Sequence, residues 1–267
     1  MKNTLKSLLT ALLSPVSAFP TERTRATDVQ DLVRRLHPVA SGHALIRLGP
    51  AGDGGYLVPD DLDGIAACFS PGVSRVSGFE KDCASRGMDA YMADKSVDGP
   101  ADAHPRFHFR KKFLGATSNN DYMRLDDWVA ESVADNAADL MLQMDIEGFE
   151  YEVLLSATPA LLQRFRVIVI EFHQLDQLWN RPWFSLASRV FDSLLETHAC
   201  VHIHPNNCRP ARVTGGLAIP PMMEFSFLRR DRLGPDCRLR TDFPHPLDVD
   251  NTRDRSLALP SCWYGGH

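Results

Sequence analysis

Short apolar runs alternate with amphipathic stretches along residues 64–230, and a polar or glycine-bearing turn follows most of the runs. No other feature narrows the fold as much. The runs at 64–69, 89–93, 106–113, 139–144, 166–172, 199–204 and 224–230 have strand length, and RVIVIEF is rich in the β-branched residues that suit a pleated surface. Between them, residues 78–86, 126–135, a stretch from about 149, and 182–198 read as helices, the last with a proline in its first turn. Apolar strands joined by helices form a parallel sheet covered on both faces. Thr27 is placed to cap a short helix running to Arg35. Residues 1–40 therefore read as an N-terminal helical extension and 41–230 as one α/β domain. Residues 231–267, rich in Arg, Pro and Asp without clear periodicity, read as an irregular arm pinned by Trp263 and Tyr264.

At 267 residues the chain buries a sizeable core without disulfide staples. Its six cysteines include no CxxC pair, which argues against a structural zinc site and for reduced, small apolar side chains. A net charge of −5 argues against nucleic acid as a partner, since nonspecific binding needs a basic surplus. No apolar run reaches the roughly eighteen residues that span a bilayer. Leu5, Leu8, Leu9, Leu12, Leu13 and Val16 fall on one face of a helix, and Lys6 interrupts what would otherwise be the apolar core of a secretory signal ending near Ala18. We read residues 4–16 as an amphipathic helix able to pack on the domain or to touch a membrane surface, on a cytoplasmic protein with free thiols.

In a sheet of this type ligands bind beyond the carboxyl ends of the strands. There the sequence places Ser70-Pro71-Gly72, Asp94, Asp145-Ile146-Glu147-Gly148, Glu171 with His173, and His202, His204, Asn206 and Asn207. Gly72 lets a ligand approach the backbone after the first strand. The segment FSPGVSRVSGFE lacks GxGxxG, and with it the pyrophosphate cradle of NAD or FAD. Asp94, after the second strand, is placed to accept hydrogen bonds from ribose hydroxyls. A ribose-binding acid without a pyrophosphate cradle suggests S-adenosylmethionine.

The run LMLQMDIEGFEYEVLL at 140–155 closely resembles the signature of the FkbM-type methyltransferases, a hydrophobic strand followed by D-x-E-G-x-E and a helix. MRLDDWV at 123–129 is similar to the family's L-D-D segment. GDGGYLVPDDL, CFSPGVSRVSGFEKDCASRG and HIHPNNC resemble the subgroup that includes methyltransferase-like protein 24, and the likeness spans roughly residues 45–230. It implies a class I, Rossmann-like fold: a seven-stranded, mostly parallel sheet whose last strand is antiparallel. It also implies S-adenosylmethionine as cofactor and the hydroxyl of a sugar, glycan or secondary metabolite as methyl acceptor. The commoner family form of the first motif is D-V-G-A-N-x-G, where this chain has F-S-P-G-V-S, so cofactor contacts carry over only to Ser70, Gly72 and Glu80. In this context Asp53, Gly54 and Gly55 read as a loop over the cofactor's methionine end.

A neutral hydroxyl is a poor nucleophile, so a base or a metal must take or polarise its proton. Asp145 and His173 are the expected catalytic residues. Asp145, Glu171 and His204 are the expected ligands of a divalent metal, with manganese, iron or zinc favoured over magnesium by the imidazole. Glu147, Gly148 and Glu150 either serve the turn into the next helix or act directly. Two rival readings stand beside methyl transfer: a metal-dependent hydrolase and a non-catalytic binding module that kept the fold.

Overall fold

A computed structural model describes residues 20–73 and 76–265. The amphipathic stretch at 4–16 lies outside them. The strands are β1 (Leu45–Leu48), β2 (Tyr56–Pro59), β3 (Ala67–Pro71), β4 (Asp89–Ala93), β5 (Phe107–Arg110), β6 (Phe113–Leu114), β7 (Tyr122–Met123), β8 (Leu140–Met144), β9 (Phe165–Phe172), β10 (His198–Pro205), β11 (Arg212–Thr214), β12 (Leu217–Ile219) and β13 (Met223–Arg229). The α-helices are α1 (Ala26–Arg35), α2 (Gly78–Ser85), α3 (Leu125–Ser132), α4 (Glu150–Ser156), α5 (Pro159–Leu162) and α6 (Arg181–Thr197).

Seven strands form one sheet in the order β10-β13-β9-β8-β3-β4-β5. β13 runs antiparallel to both its neighbours, and the remaining pairs are parallel. This is the expected class I arrangement, and all seven anticipated strands belong to it. The chain enters β13 through a hairpin of β11 and β12, whose two-residue loop, Gly215-Gly216, has φ of 60° and 82°. Positive φ at both loop residues matches the twist of the flanking strands, and glycine adopts it without steric cost. The predicted strand at 106–113 divides: β5 ends at Arg110, and Phe113 pairs instead with Tyr122 on β7.

Strand alternation sends side chains to two faces. On one face Phe69, Leu142, Ile168, Ile170 and Phe172 pack with α1, Trp128 of α3, Val153 of α4 and Phe191 of α6. Phe69 stacks on Tyr91 and meets Trp128 edge-on, with centroids 5.0 and 4.9 Å apart. On the other face Cys68, Met141, Val167 and Val169 pack under Phe79 and Cys83 of α2 and under the β1–β2 hairpin.

The segments flanking the sheet are built into this core. α1 contributes Val29, Leu32 and Val33, and the arm contributes Leu259 and the fully buried Trp263, whose ring meets Phe225. α1 begins one residue before Thr27, at Ala26; the cap position is Arg25 and has no side-chain cap bond. Asp28, in the first turn, instead offers the helix dipole a negative charge and pairs with Arg25. All six cysteines are free thiols, and no helix among the described residues is long and apolar enough to cross a membrane.

Candidate active site

The sheet's topological switch lies between β3 and β8, since the chain leaves β3 toward β4 on one side and β8 toward β9 on the other. Beyond their carboxyl ends opens a cavity of about 240 Å³, lined by Gly72, Asp94, Tyr122, Asp145, Glu147 and Phe149, among others. Phe113, Leu114, Tyr122, Ile146 and Phe149 line it together with the acids Asp94, Asp145 and Glu147. A crevice lined by both rings and carboxylates suits a ligand with a flat apolar part and hydroxyl or cationic groups.

Gly72 has φ +90°, and a Cβ there would lie 1.7 Å from the Asp145 carbonyl oxygen. Only glycine lets the turns after β3 and β8 cross so closely. Asp94 accepts from the amide of Ser96 at 2.7 Å and from its hydroxyl at 2.6 Å, both through Oδ1. That local turn fixes its carboxylate at the cavity wall.

The expected cofactor contacts of Ser70 and Glu80 take another form. Ser70 shares its face of β3 with Cys68, beneath α2, and is fully buried. Its Oγ lies 2.6 Å from both Glu80 Oε1 and Gln143 Oε1. A hydroxyl has one proton, so one of these partners must donate. Burial pushes the Glu80 carboxyl above its ordinary range, which favours a protonated acid in that role. Both residues are engaged with each other and neither lines the cavity. Ser70→Ala is expected to cost about 1–3 kcal/mol of stability by stranding a buried acid, read as a fall in melting temperature, with cofactor affinity unchanged.

Asp53, Gly54 and Gly55 form the turn between β1 and β2, and none of them lines the cavity. Arg47 holds this turn by donating to the carbonyls of Pro50 and Gly52 at 2.8 Å each. Asp53 is exposed but close enough for its charge to push the carboxyls of Asp145 and Glu171 up. Tyr56, next in sequence, donates its buried hydroxyl to Asp145 Oδ2 at 3.3 Å.

His173 is buried at the end of β9. Its Nδ1 lies 3.1 Å from Glu150 Oε1. The same Glu150 oxygen accepts from the amides of Ile146 and Gly148 at 3.1 Å each. Glu150 therefore serves the turn and orients the imidazole at once. With Nδ1–H donated to Glu150, Nε2 faces Glu147 at 3.5 Å, Asp145 at 3.9 Å and Glu171 at 3.9 Å. Burial would lower the His173 pKa, but the hydrogen bond to Glu150 and the charges of Glu150, Asp145 and Glu147 outweigh it and hold it above the ordinary value. Burial, offset by His173 and reinforced by Glu150, Glu147 and Asp53, raises Asp145 to about 7. Asp145 thus exchanges its proton near neutrality, the condition that suits acid–base work.

Glu171 is buried, accepts from Asn206 Nδ2 at 2.9 Å through Oε1, and is held well above the carboxylate range by burial and by Asp145 and Glu224. His204, the third expected metal ligand, is not brought to this cluster. β13 is inserted between β9 and β10, so His204 pairs in register with Glu224, and Glu224 in turn with Glu171. The nearest acid to its ring is Asp248, at 3.7 Å. Asp248 also lies 2.8 Å from His202 Nε2, and these contacts dock the arm on the sheet. Among the described residues, the His and acid side chains whose ligand atoms converge are Asp145, Glu147 and His173. Glu147 is the residue the sequence leaves undecided; its φ of +59° turns the carboxylate toward the imidazole.

Residues 72–199 match the family model described as the methyltransferase FkbM domain. That stretch begins at Gly72 and includes Asp94, Asp145, Glu147, Glu150, Glu171 and His173. No curated protein matches the chain.

Proposed function

We propose, for a chain that carries the methyltransferase FkbM domain and with it the implication of S-adenosylmethionine-dependent methyl transfer, that the cavity beside Gly72 and Asp94 holds the cofactor and that the acceptor atom is a hydroxyl oxygen. The observation that carries this reading is the meeting of that cavity with the Asp145–His173 pair. The donor set fits the cofactor: Asp94 is available to ribose hydroxyls, the rings of Phe113, Tyr122 and Phe149 to an adenine, and the carboxylates of Asp145 and Glu147 to a cationic sulfur or amine. When bound, S-adenosylmethionine supplies a methyl group on a positively charged sulfur.

The chain's own residues do the rest. Asp145 and Glu147 line the cavity and lie beside His173, so an acceptor hydroxyl placed against them would give its proton to the Asp145–His173 pair as its oxygen takes the methyl group and the carbon–sulfur bond breaks, its electron pair staying on a neutral thioether. Holding that oxygen in line supplies much of the rate. The choice of a sugar or glycan hydroxyl rests on the resemblance to FkbM-type enzymes; Glu171 and Glu224 are buried and already accept from Asn206 and Asn251. The likeness to the subgroup that includes methyltransferase-like protein 24 rests on the segments GDGGYLVPDDL, CFSPGVSRVSGFEKDCASRG and HIHPNNC.

Asp94→Ala is expected to weaken S-adenosylhomocysteine binding by about 1–3 kcal/mol, the loss of charged hydrogen bonds, as read by calorimetry. The acceptor class is tested by transfer of a labelled methyl group to a panel of glycans and small alcohols. Label recovered in a base-stable ether supports the reading; label found only in esters or amines overturns it.

A further inference from the structure

Asp145, Glu147 and His173 turn their ligand atoms toward one another. One atom from each lies within 4.8 Å of the other two. Three atoms so spaced share a point no more than about 2.8 Å from each, a small side-chain adjustment away from the bond lengths that divalent cations make to oxygen and nitrogen. His173 is prepared for such a role. Its Nδ1 is occupied by Glu150, which two backbone amides hold in place, so the Nε2 lone pair is directed at Asp145 and Glu147. A carboxylate behind the imidazole is the usual support of a metal-bound histidine.

A second observation points to the same spot. Glu171 is 3% exposed, its Oε1 lies 3.9 Å from His173 Nε2, and its Oε2 is buried without a hydrogen-bond partner. An unpaired buried carboxylate oxygen is costly, and a neighbouring cation removes the cost. Asp145, Glu147, Glu150 and Glu171 all lie within 4 Å of a single imidazole.

We propose that Asp145, Glu147 and His173 bind one divalent cation, with Glu150 supporting the imidazole and Glu171 available as a further ligand. Mixed carboxylate and imidazole ligands suit a manganese-like ion better than calcium or magnesium, which favour oxygen alone. Asp145 and Glu147 also line the cavity, so positions left open on the ion face the place proposed for the acceptor hydroxyl. A hydroxyl bound to such an ion gives up its proton more readily. This deepens the proposed function, since it concerns the same strand ends, and the two can fail separately.

The test is a titration of Mn²⁺ into the purified full-length chain, with free ion followed by electron paramagnetic resonance. One saturable site per chain is expected. Glu147→Gln, at a side chain 87% exposed and outside the core, is expected to weaken it about 10–100-fold, and Asp145→Asn at least as much. Absence of saturable binding, or a site that neither substitution weakens, overturns the proposal. S-adenosylhomocysteine is titrated into the same sample. Its binding without Mn²⁺ binding removes the cation site and leaves methyl transfer standing; Mn²⁺ binding without it does the reverse.

Discussion

His173→Ala is expected to lower methyl transfer about 10²–10⁴-fold while S-adenosylhomocysteine affinity stays at the wild-type level. The two effects separate because of where the imidazole sits. It does not line the cavity, and it reaches the reaction through Asp145 and Glu147, which do. Removing the ring takes away the one basic group among these acids. It also frees Glu150 of its imidazole partner, although the amides of Ile146 and Gly148 continue to hold that carboxylate. The loss has the same sign whether Nε2 accepts the proton itself or binds a cation. A variant with a rate close to wild type would remove His173 from the chemistry, and one that also loses cofactor affinity would give it a structural role instead.

Gly72→Ala is expected to be more damaging still, because it acts on the fold and the site together. The added methyl group would stand 1.7 Å from the Asp145 carbonyl oxygen, a backbone atom that no rotamer change can move. The residue would also be held at φ +90°, where an L side chain is strained. The ends of β3 and β8 must separate, and with them the cavity wall. A loss of at least about 3 kcal/mol is expected, visible in denaturant unfolding, together with loss of cofactor binding in the fraction that remains folded. Alanine tolerated at Gly72 would mean that the two turns do not cross as described.

The sheet was legible in the sequence because parallel strands buried on both faces read as continuous apolar runs. LMLQM and RVIVIEF became β8 and β9, with Asp145 and His173 directly after them. Gly72 and Asp94 were legible for the same reason: a strand's end fixes the position of the residue that follows it. What strand ends do not reveal is which side chains stay in the core. Ser70 and Glu80 sit at positions where a cofactor contact was expected, yet strand alternation turns Ser70 under α2 toward Gln143. Spatial strand order was equally hidden. That β13 separates β10 from β9 decides that His204 meets Asp248 and not Asp145, and nothing local to HIHPNN records it. Phe113 and Tyr122, which face the cavity, come from a two-residue pairing too short to leave a periodic signal. Asp248, the acid that His202 and His204 meet, lies in an arm without periodicity, so nothing in the sequence around it marks the pairing.

Calorimetric titration of the wild-type chain with S-adenosylhomocysteine tests the central claim most directly. Saturable binding of one molecule per chain, weakened by Asp94→Ala, is the result predicted for a cofactor seated against Gly72, Asp94 and Asp145. Absence of binding to the folded wild-type protein would contradict it.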